Sequence, residues 1–227
     1  VTADDKTGDW TPAQRLVVNQ LPNATPGTPA QRTDGSGIVN FTMSVWSPDG
    51  DALIRAGYQY STDGGSTWAD ATVTITAGEM GMFESVAWDS SAVDPAKTSV
   101  MFRTTFADTW EPAVAVTTAA CTLDNIDPAA PTGLTAVTGA GRVRLDWLGT
   151  ATKFRVYGDN GTGTVDYSTV LAEITDAGNS WTSGGLATGT YVFAVESVDA
   201  FGNTCPTPAE AAPIAVAAGT GTFTVDS

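Results

Sequence analysis

The chain has no histidine among its 227 residues and only three lysines, Lys6, Lys97 and Lys153. Histidine is the usual general base at neutral pH and the commonest ligand of transition metals. Its absence therefore argues against an enzyme and against a zinc or copper site. The chain also lacks any run of about 18 apolar residues, which a membrane-spanning helix requires, so we expect no membrane insertion.

Charged residues are scarce as well, at 15% of the chain, and most of them are acidic. Ten basic residues against 25 acidic ones give a net charge of −15, and a field of that sign repels polyphosphates and anionic lipids. Nucleic acid is therefore a poor partner. The rest of the surface is rich in Thr, Ser and Gly. Together with 42% hydrophobic residues, this composition favours β-strands packed around a core.

A strand–turn–strand pattern occurs three times along the chain, at 1–18, at 102–116 and, in a looser form, at 193–216. Each copy has an alternating strand, a turn with Asp and Pro, and a closing apolar strand. A Pro-rich segment follows the first two copies, at 21–29 and 127–131. The pattern therefore predicts the end of a β-sandwich followed by a linker.

These junctions divide the chain into four parts. Two sandwiches are expected, at 22–126 and 127–218. Residues 1–21 are interpreted as the last two strands of a preceding sandwich, or as a strand pair donated to a neighbour. Residues 219–227 are interpreted as a C-terminal strand or linker. The predicted fold class is all-β, with two tandem immunoglobulin-like sandwiches and an extra N-terminal strand pair.

Five segments of the second half follow the strand pattern of a known family. Their sequences are PTGL, RVRLDW, KFRVY, LATGTY and VESVDAFGN, at 131–134, 142–147, 153–157, 186–191 and 195–203. Through these segments the second domain resembles a fibronectin type III domain of bacterial or archaeal extracellular proteins. The resemblance covers residues 131–216 and implies an immunoglobulin-like sandwich, a fold that serves many functions.

The alternation of apolar residues in this half agrees with such a fold. Along two strands the expected inward positions are Val143, Leu145, Trp147, Phe154 and Val156. Arg155 and Tyr157 are expected on the opposite face. Tyr191 is expected to bury its ring and to donate its hydroxyl to the nearby backbone, as in a tyrosine corner.

The first domain has the same architecture with weaker signatures. Its segment STDGGSTW, at 61–68, matches the Asp-box of sialidases at every fixed position. In such a turn Asp63 would accept backbone hydrogen bonds, Gly64 and Gly65 would take positive φ, and Trp68 would pack beneath. Sialidases carry several boxes and an arginine cluster, whereas this chain has one box and seven arginines. We therefore interpret the box as a structural hairpin.

The sequence has two cysteines, Cys121 and Cys205. An even count in a Thr-rich, Lys-poor chain is typical of an exported protein with one disulfide, and the alternative is two buried free thiols. In a type III sandwich the N-terminal entry and the FG loop lie at one end, so the resemblance implies a bridge across the hinge between domains. Closing a loop of roughly 80 residues would contribute about 4 kcal/mol by the loop-entropy model. We expect an extracellular or cell-surface location.

Six aspartates fall at the ends of the predicted sandwiches. Three belong to the first domain and three to the junction, and they are Asp49, Asp51 and Asp108, then Asp124, Asp127 and Asp199. Carboxylates on loops suit Ca²⁺, and the linker resembles cadherin-type calcium linkers. The alternative is solvated turn residues, because Asp is an ordinary turn former. Calcium is the one cofactor that the sequence suggests.

Three asparagines, Asn23, Asn40 and Asn160, each begin an Asn-x-Thr sequon. They are candidate sites of N-glycosylation. A chain so rich in threonine also produces such sequons by chance, so both interpretations stay open.

We expect a non-catalytic structural module or subunit of a cell-surface protein, fibre or surface layer. Its partners would be other copies of itself or neighbouring domains, joined by β-strand addition through 1–21 or 219–227. The alternative is a carbohydrate-binding or adhesive module, since tryptophans outside the predicted cores could stack on glycans. These are Trp10, Trp68, Trp88, Trp110 and Trp181. A glycosidase is disfavoured because no pair of carboxylates has a supporting motif.

Overall fold

The computed structural model describes residues 20–76, 83–93, 98–108, 113–175 and 178–217. This part of the chain is all-β and contains nineteen strands and no helix, so it has none that is long and apolar enough to cross a bilayer. Apart from positions 20 and 21, the predicted N-terminal strand pair lies outside the described residues. The predicted strand at 219–227 lies outside them too.

Ten strands form the first domain. They are β1 (Asn23–Pro26), β2 (Ala30–Gln31), β3 (Ile38–Trp46), β4 (Ile54–Ser61), β5 (Ala69–Ala71), β6 (Val73–Thr76), β7 (Phe83–Asp89), β8 (Thr98–Ala107), β9 (Val114–Thr117) and β10 (Cys121–Leu123). One sheet has the order β1-β3-β7-β6, with β2 also paired to β3. The other has the order β10-β8-β4-β5, with β9 also paired to β8.

Strand β3 shows why these two sheets pack face to face. Val39, Phe41, Met43 and Val45 are buried, whereas the residues between them are not. The ring of Phe41 stacks on Phe102 of the opposite sheet, with centroids 4.6 Å apart. Burial of each such side chain stabilises the fold by about 1.5–3 kcal/mol. The predicted alternation of this central strand is confirmed.

Nine strands form the second domain. They are β11 (Thr132–Gly139), β12 (Arg142–Leu148), β13 (Lys153–Gly158), β14 (Ala172–Ile174), β15 (Ser180–Thr182), β16 (Gly189–Tyr191), β17 (Phe193–Val198), β18 (Ala209–Glu210) and β19 (Ile214–Val216). The sheets have the orders β11-β12-β15 and β14-β13-β17-β18, and β16 pairs with β19. The predicted fold of two tandem sandwiches is confirmed.

The core of the second domain contains the residues that the alternation predicted. Val143, Leu145 and Trp147 of β12 are buried, and the indole of Trp147 makes an edge contact with the Phe154 ring at 5.5 Å. The hydroxyl of Tyr191 donates to the carbonyl of Ala187 at 3.1 Å. The hydrogen bond expected of a tyrosine corner is therefore confirmed, and it ties the loop before β16 to the sandwich, although the ring itself is only half-buried.

Tyr157 departs from the predicted pattern. It lies on the outer face of β13, yet it is 4% exposed and packs against Val165 and Val192. The loop at 159–171 folds over this face and covers the ring. The hydroxyl donates to Glu196 at 2.8 Å, and burial is the main reason that the pKa of Tyr157 rises to about 12. A strand pattern alone does not reveal such a covering loop.

The loops lie at the two ends of each sandwich, and the two domains stack end to end. The start of β1 and the 47–53 loop lie at one end of the first domain, which we call the head end. The 32–37 turn and the chain after β10 lie at its other end, where they contact the 199–204 turn of the second domain. The 159–171 loop lies at the far end of the second domain, which we call the tail end.

Candidate functional site at the domain junction

Two glycines bring the backbones of the two domains into direct contact. The amide of Gly35 donates to the carbonyl of Phe201 at 3.0 Å. A Cβ atom on Gly202 would lie 2.5 Å from the nitrogen of Gly35 and 2.5 Å from the carbonyl oxygen of Thr33. Both glycines also have positive φ, 74° for Gly35 and 86° for Gly202. The junction therefore leaves no room for a side chain at either position.

Asn203 joins the domains through its side-chain amide. Its Nδ2 donates to the carbonyl of Asp124 at 2.9 Å and to Oδ2 of Asp199 at 2.8 Å. Oδ1 of Asp199 accepts the backbone amides of Phe201 and Asn203, at 2.8 and 2.9 Å. Asp199 thus shapes the turn that presents Asn203 to the first domain. Asn203 is only 8% exposed, so its polar atoms depend on these bonds.

Gln31 holds the same segment from the side of the first domain. Its Oε1 accepts the backbone amide of Asp124 at 2.7 Å, and its Nε2 donates to the carbonyl of Asp124 at 2.9 Å. Nε2 also donates to Oδ1 of Asn125 at 3.0 Å. The carbonyl of Asp124 therefore accepts one amide from each domain. We call the set Gln31, Gly35, Asp124, Asp199, Gly202 and Asn203 the junction clasp.

A buried serine supports the junction clasp from inside the first domain. The hydroxyl of Ser90 donates to the carbonyl of Gly37 at 2.6 Å, and Asn125 donates its Nδ2 to the Ser90 carbonyl at 3.0 Å. Ser90 is fully buried. Sequence reasoning missed Gln31 and Ser90, since each is an ordinary polar residue beside a turn. Only the packing of 124–125 between the domains gives them a role.

The structure places the six predicted calcium ligands in two different arrangements. At the junction, Asp199 accepts hydrogen bonds within its turn, and Asp124 contributes its main chain to the clasp. Asp127 lies in the linker after them. In the described parts of the chain, these three do not form a group of carboxylates close enough to share one ion. The junction is held by amide groups instead.

The head end does bring three carboxylates together. Oxygen atoms of Asp49, Asp51 and Asp108 all lie within 4.8 Å of one another, and Asp108 is 5% exposed. The Ser47 hydroxyl and the backbone amide of Gln20 donate to Asp49, and these bonds lower the pKa of Asp49. Ca²⁺ takes six to eight oxygen ligands, so these side chains would supply part of its coordination sphere. Calcium binding here stays a prediction.

The predicted bridge between Cys121 and Cys205 is not formed in the structure, where both are free thiols. Cys121 pairs with Val100 in the first domain and packs on its core. The sulfur of Cys205 accepts the backbone amide of Ser197 at 3.4 Å in the second domain. Each thiol therefore belongs to its own sandwich. Burial raises the pKa of Cys121 to about 11 and is the main reason that the pKa of Cys205 also rises.

The Asp-box forms the predicted hairpin turn between β4 and β5. Asp63 accepts the Ser61 hydroxyl at 2.7 Å, the Thr67 amide at 2.9 Å and the Thr67 hydroxyl at 2.6 Å. Gly64 and Gly65 have φ of 73° and 90°. The box is saturated with internal hydrogen bonds, which is the arrangement expected of a structural turn.

The three described tryptophans among the candidate platforms are engaged within the protein rather than left open. Trp68 donates its Nε1 to the carbonyl of Gly65 at 2.9 Å, and the guanidinium of Arg103 covers its ring at 4.3 Å. Trp88 is buried in the first core, and Trp181 packs on the Phe193 ring at 5.7 Å. Trp10 and Trp110 lie outside the described residues. The carbohydrate-binding alternative therefore loses three of its candidate platforms.

The three sequons lie in different surroundings. Asn23 is exposed on β1 and Asn40 is half-buried on β3, and both face outward from the same sheet. Asn160 is exposed in the 159–171 loop, with φ of 51°. Glycosylation at these positions stays a prediction.

Comparison with known proteins matches the chain to no family model and to no curated protein. Among solved structures it is similar to a crystal structure of titin domains, with a TM-score of 0.50 and 13% identity, over 88% of this chain and 67% of that one. It is also similar to the FN1–FN3 domains of chicken CNTN1, with a TM-score of 0.32 and 14% identity, over 84% and 66%. It is similar as well to a two-domain fibronectin type III segment of chicken tenascin. The TM-score is 0.35 and the sequence identity is 12%, over 87% of this chain and 100% of that one. Identities this low concern the fold alone.

Proposed function

We propose that this chain, whose fold is that of tandem fibronectin type III or immunoglobulin-like sandwiches, is a non-catalytic structural module. Its role would be to hold two domains in one fixed orientation within an extracellular or cell-surface assembly. The observation that carries the proposal is the junction clasp, in which the carbonyl of Asp124 accepts Gln31 from one domain and Asn203 from the other.

A fixed orientation needs more than a short linker. Domains joined by a linker usually move relative to each other unless their interface is extensive. Here the buried amide of Asn203 would lose the carbonyl of Asp124 if the domains separated, and a lost bond between buried groups costs about 1–3 kcal/mol. The contact of Gly35 with Gly202 also restricts rotation, because the two backbones touch.

The chemistry of the described side chains supports a role without catalysis. Glu84, the one strongly buried glutamate among the described residues, forms an ion pair with Arg55 and accepts the Tyr58 hydroxyl at 3.2 Å. Such a pairing occupies the carboxylate with an internal partner rather than leaving it exposed to a substrate. The sequence also has no histidine that could serve as a general base.

Small-angle X-ray scattering on the wild type and on Asn203→Ala tests the proposal. We expect the wild-type curve to fit one end-to-end conformation, and the variant curve to need a mixture of bent and extended ones. Asn23→Ala is the matched control, because Asn23 is exposed on β1, away from the junction. If the wild-type curve can be fitted only by a mixture of bent and extended conformations, the orientation of the domains is not fixed and the proposal is contradicted.

Assembly by β-strand addition remains part of the proposal, although the segments expected to donate strands lie outside the described residues. Removal of residues 1–19 should abolish any association that depends on that donation. Unchanged association would contradict it for this segment. The extracellular location rests on the Thr-rich, Lys-poor and acidic composition.

A further inference from the structure

The outer face of the sheet β1-β3-β7-β6 carries hydroxyl and amide side chains. Buried and less buried residues alternate along β3, β6 and β7, so every second side chain points away from the core. Six of these outward residues, which we call the hydroxyl face, are Asn40, Thr42, Ser44, Thr74, Thr76 and Ser85. The register aligns Thr42, Ser85 and Thr76 in one row across the three strands. The hydroxyl face is therefore a regular array of uncharged polar groups.

This face differs from the outer face of the second domain. There Lys153 and Arg155 on β13 both form ion pairs with Glu173, and charged pairs of this kind are a common covering of an exposed sheet. Among the described residues of β3, β6 and β7, the one charged side chain that points outward is Asp89, at the end of β7. The hydroxyl face is thus nearly neutral in a chain whose net charge is −15.

The polar groups of the hydroxyl face are open to an external partner. Within the described part of the chain, none of these six side chains makes a hydrogen bond, in contrast to the saturated turn around Asp63. An open groove of about 670 Å³ lies over five of the six, all except Ser44, and Thr28 and Arg32 also line it. Arg32 is the one charged residue of this lining, and it lies 4.0 Å from Asp34.

Two aromatic rings lie on the same face, on the side of the head end. Trp46 ends β3 and Phe83 begins β7, and they are 39% and 56% exposed. Phe83 is paired with Ser44, so Trp46 is its diagonal neighbour, at a distance of about 7–8 Å in such a pair. Asn23 of β1 is paired directly with Trp46. The indole therefore offers an apolar surface with amide and hydroxyl groups beside it.

We propose that the hydroxyl face, together with Trp46 and Phe83, binds a neutral polysaccharide. A sugar ring has C–H groups on its faces and hydroxyl groups around its rim. Its faces would stack on the two aromatic rings, and its hydroxyls would exchange hydrogen bonds with the hydroxyl face along the groove. The proposal adds an adhesive role to the structural one and does not depend on the orientation of the domains.

Other kinds of partner match this surface less well. A polyanion is repelled by the net charge of the chain and meets only Arg32 in the groove. A protein interface has a fully buried apolar centre with a polar rim, whereas here the aromatic rings lie at one side and the centre is polar. A neutral chain of sugars needs neither a counter-charge nor an apolar centre.

Affinity electrophoresis in native gels that contain xylan, glucomannan or hydroxyethyl cellulose tests the proposal on the full chain. Mass spectrometry first establishes that Asn40 is unmodified, because this sequon lies in the groove. We expect at least one of these neutral polysaccharides to retard the wild type. Trp46→Ala should weaken that binding by at least about tenfold, since it removes the stacking surface. Thr76→Val, which keeps the shape and removes one hydroxyl, should weaken it about threefold.

Matched variants separate the binding role of these residues from a structural one. Trp46→Phe keeps a ring and should retain most of the binding. Phe83→Ala repeats the test if circular dichroism shows that Trp46→Ala does not fold. Tyr167→Ala is the aromatic control, because Tyr167 is 44% exposed in the second domain. Thr190→Val is the control for Thr76→Val, because Thr190 is exposed on β16.

Each other result overturns the proposal. If none of the neutral polysaccharides retards the wild type, the face does not bind such chains. If Trp46→Ala and Thr76→Val are retarded as the wild type is, the binding site lies elsewhere. If glycol chitosan, a polycation, is the one polysaccharide that retards the protein, the acidic surface binds it. If sedimentation shows that the wild type self-associates and Trp46→Ala does not, the face is an interface between copies.

Discussion

Gly35 and Gly202 meet across the domain junction so closely that a Cβ atom on Gly202 would lie 2.5 Å from the Gly35 nitrogen. The neighbouring bond from the Gly35 amide to the Phe201 carbonyl is 3.0 Å long. A side chain at either glycine can be accommodated only if the domains move apart. The two sandwiches can therefore approach each other this closely only because both positions are glycine.

Gly202→Ala should open the junction without unfolding either domain. Amide hydrogen exchange at Gly35 is the readout, and we expect it to become at least about tenfold faster, because its bond to the Phe201 carbonyl is lost. Gly163→Ala is a matched control, since Gly163 has the same φ of 86° but nothing within 4 Å of its Cβ position. Equal exchange at Gly35 in both variants would mean that the clash at Gly202 does not open the junction, which would contradict the account.

Replacing Arg55 in the Arg55–Glu84 ion pair should strongly destabilise the first domain. Arg55→Met leaves Glu84 buried without its ion partner, and we expect a loss of about 3 kcal/mol in the free energy of unfolding. Glu84→Gln should cost less, because Arg55 is more exposed than Glu84 and can be hydrated. The double variant Arg55→Met with Glu84→Leu should recover most of the loss. Urea denaturation measures the free energy of unfolding of all three variants. An unchanged free energy of unfolding in Arg55→Met would contradict the view that Glu84 depends on Arg55.

Asp63 should make the stability of the first domain depend on pH in acid. Hydrogen bonds from the Thr67 side chain and amide and from the Ser61 hydroxyl hold the pKa of Asp63 far below its ordinary 3.8. A lowered pKa stabilises the fold above the unfolded value, and this contribution is lost as the pH falls below about 4. Asp63→Asn should therefore lower the Tm at pH 7, and the difference should shrink below about pH 4.

Asp70→Asn serves as the control for that experiment. The Asp70 carboxylate accepts a hydrogen bond from Gln59 at 3.0 Å on an exposed strand. We expect a much smaller change in Tm. A difference between wild type and Asp63→Asn that stays constant from pH 7 to about pH 2 would contradict the role given to the ionised Asp63.

Calcium should raise the Tm of the chain if the head-end carboxylates bind it. Asp51→Asn removes one charge from the group of Asp49, Asp51 and Asp108 and should abolish the rise. Asp127→Asn, in the junction linker, should leave it intact. Scanning calorimetry with calcium and with EDTA is the measurement. Identical melting curves under the two conditions would contradict a structural calcium ion at this end.

The sequence predicted those features that depend on local pattern. The inward faces of β3 and β12 followed from the alternation of apolar residues, and the turn around Asp63 followed from its box. The hydroxyl bond of Tyr191 followed from the resemblance to type III domains. Each of these is decided within one strand or one turn, where nearby residues determine the geometry.

Features that depend on how distant segments meet were not predictable in this way. Gln31 contacts Asp124 across the end of the first domain, and nothing in the sequence around Gln31 indicates that pairing. Tyr157 is buried because a later loop folds over it. The bridge from Cys121 to Cys205 was inferred from loop positions, whereas the two thiols pack in separate sandwiches. In each case the outcome depends on contacts between segments that are far apart in the sequence.

Residual dipolar couplings of the wild-type chain test the fixed orientation of the two domains most directly. Couplings from β1–β10 and from β11–β19 each yield an alignment tensor, and domains that move as one body share the same tensor. We predict equal magnitude and direction for the two sets, with a difference appearing only in variants of the junction clasp such as Asn203→Ala. A wild-type tensor that is clearly smaller for one domain than for the other would contradict the account.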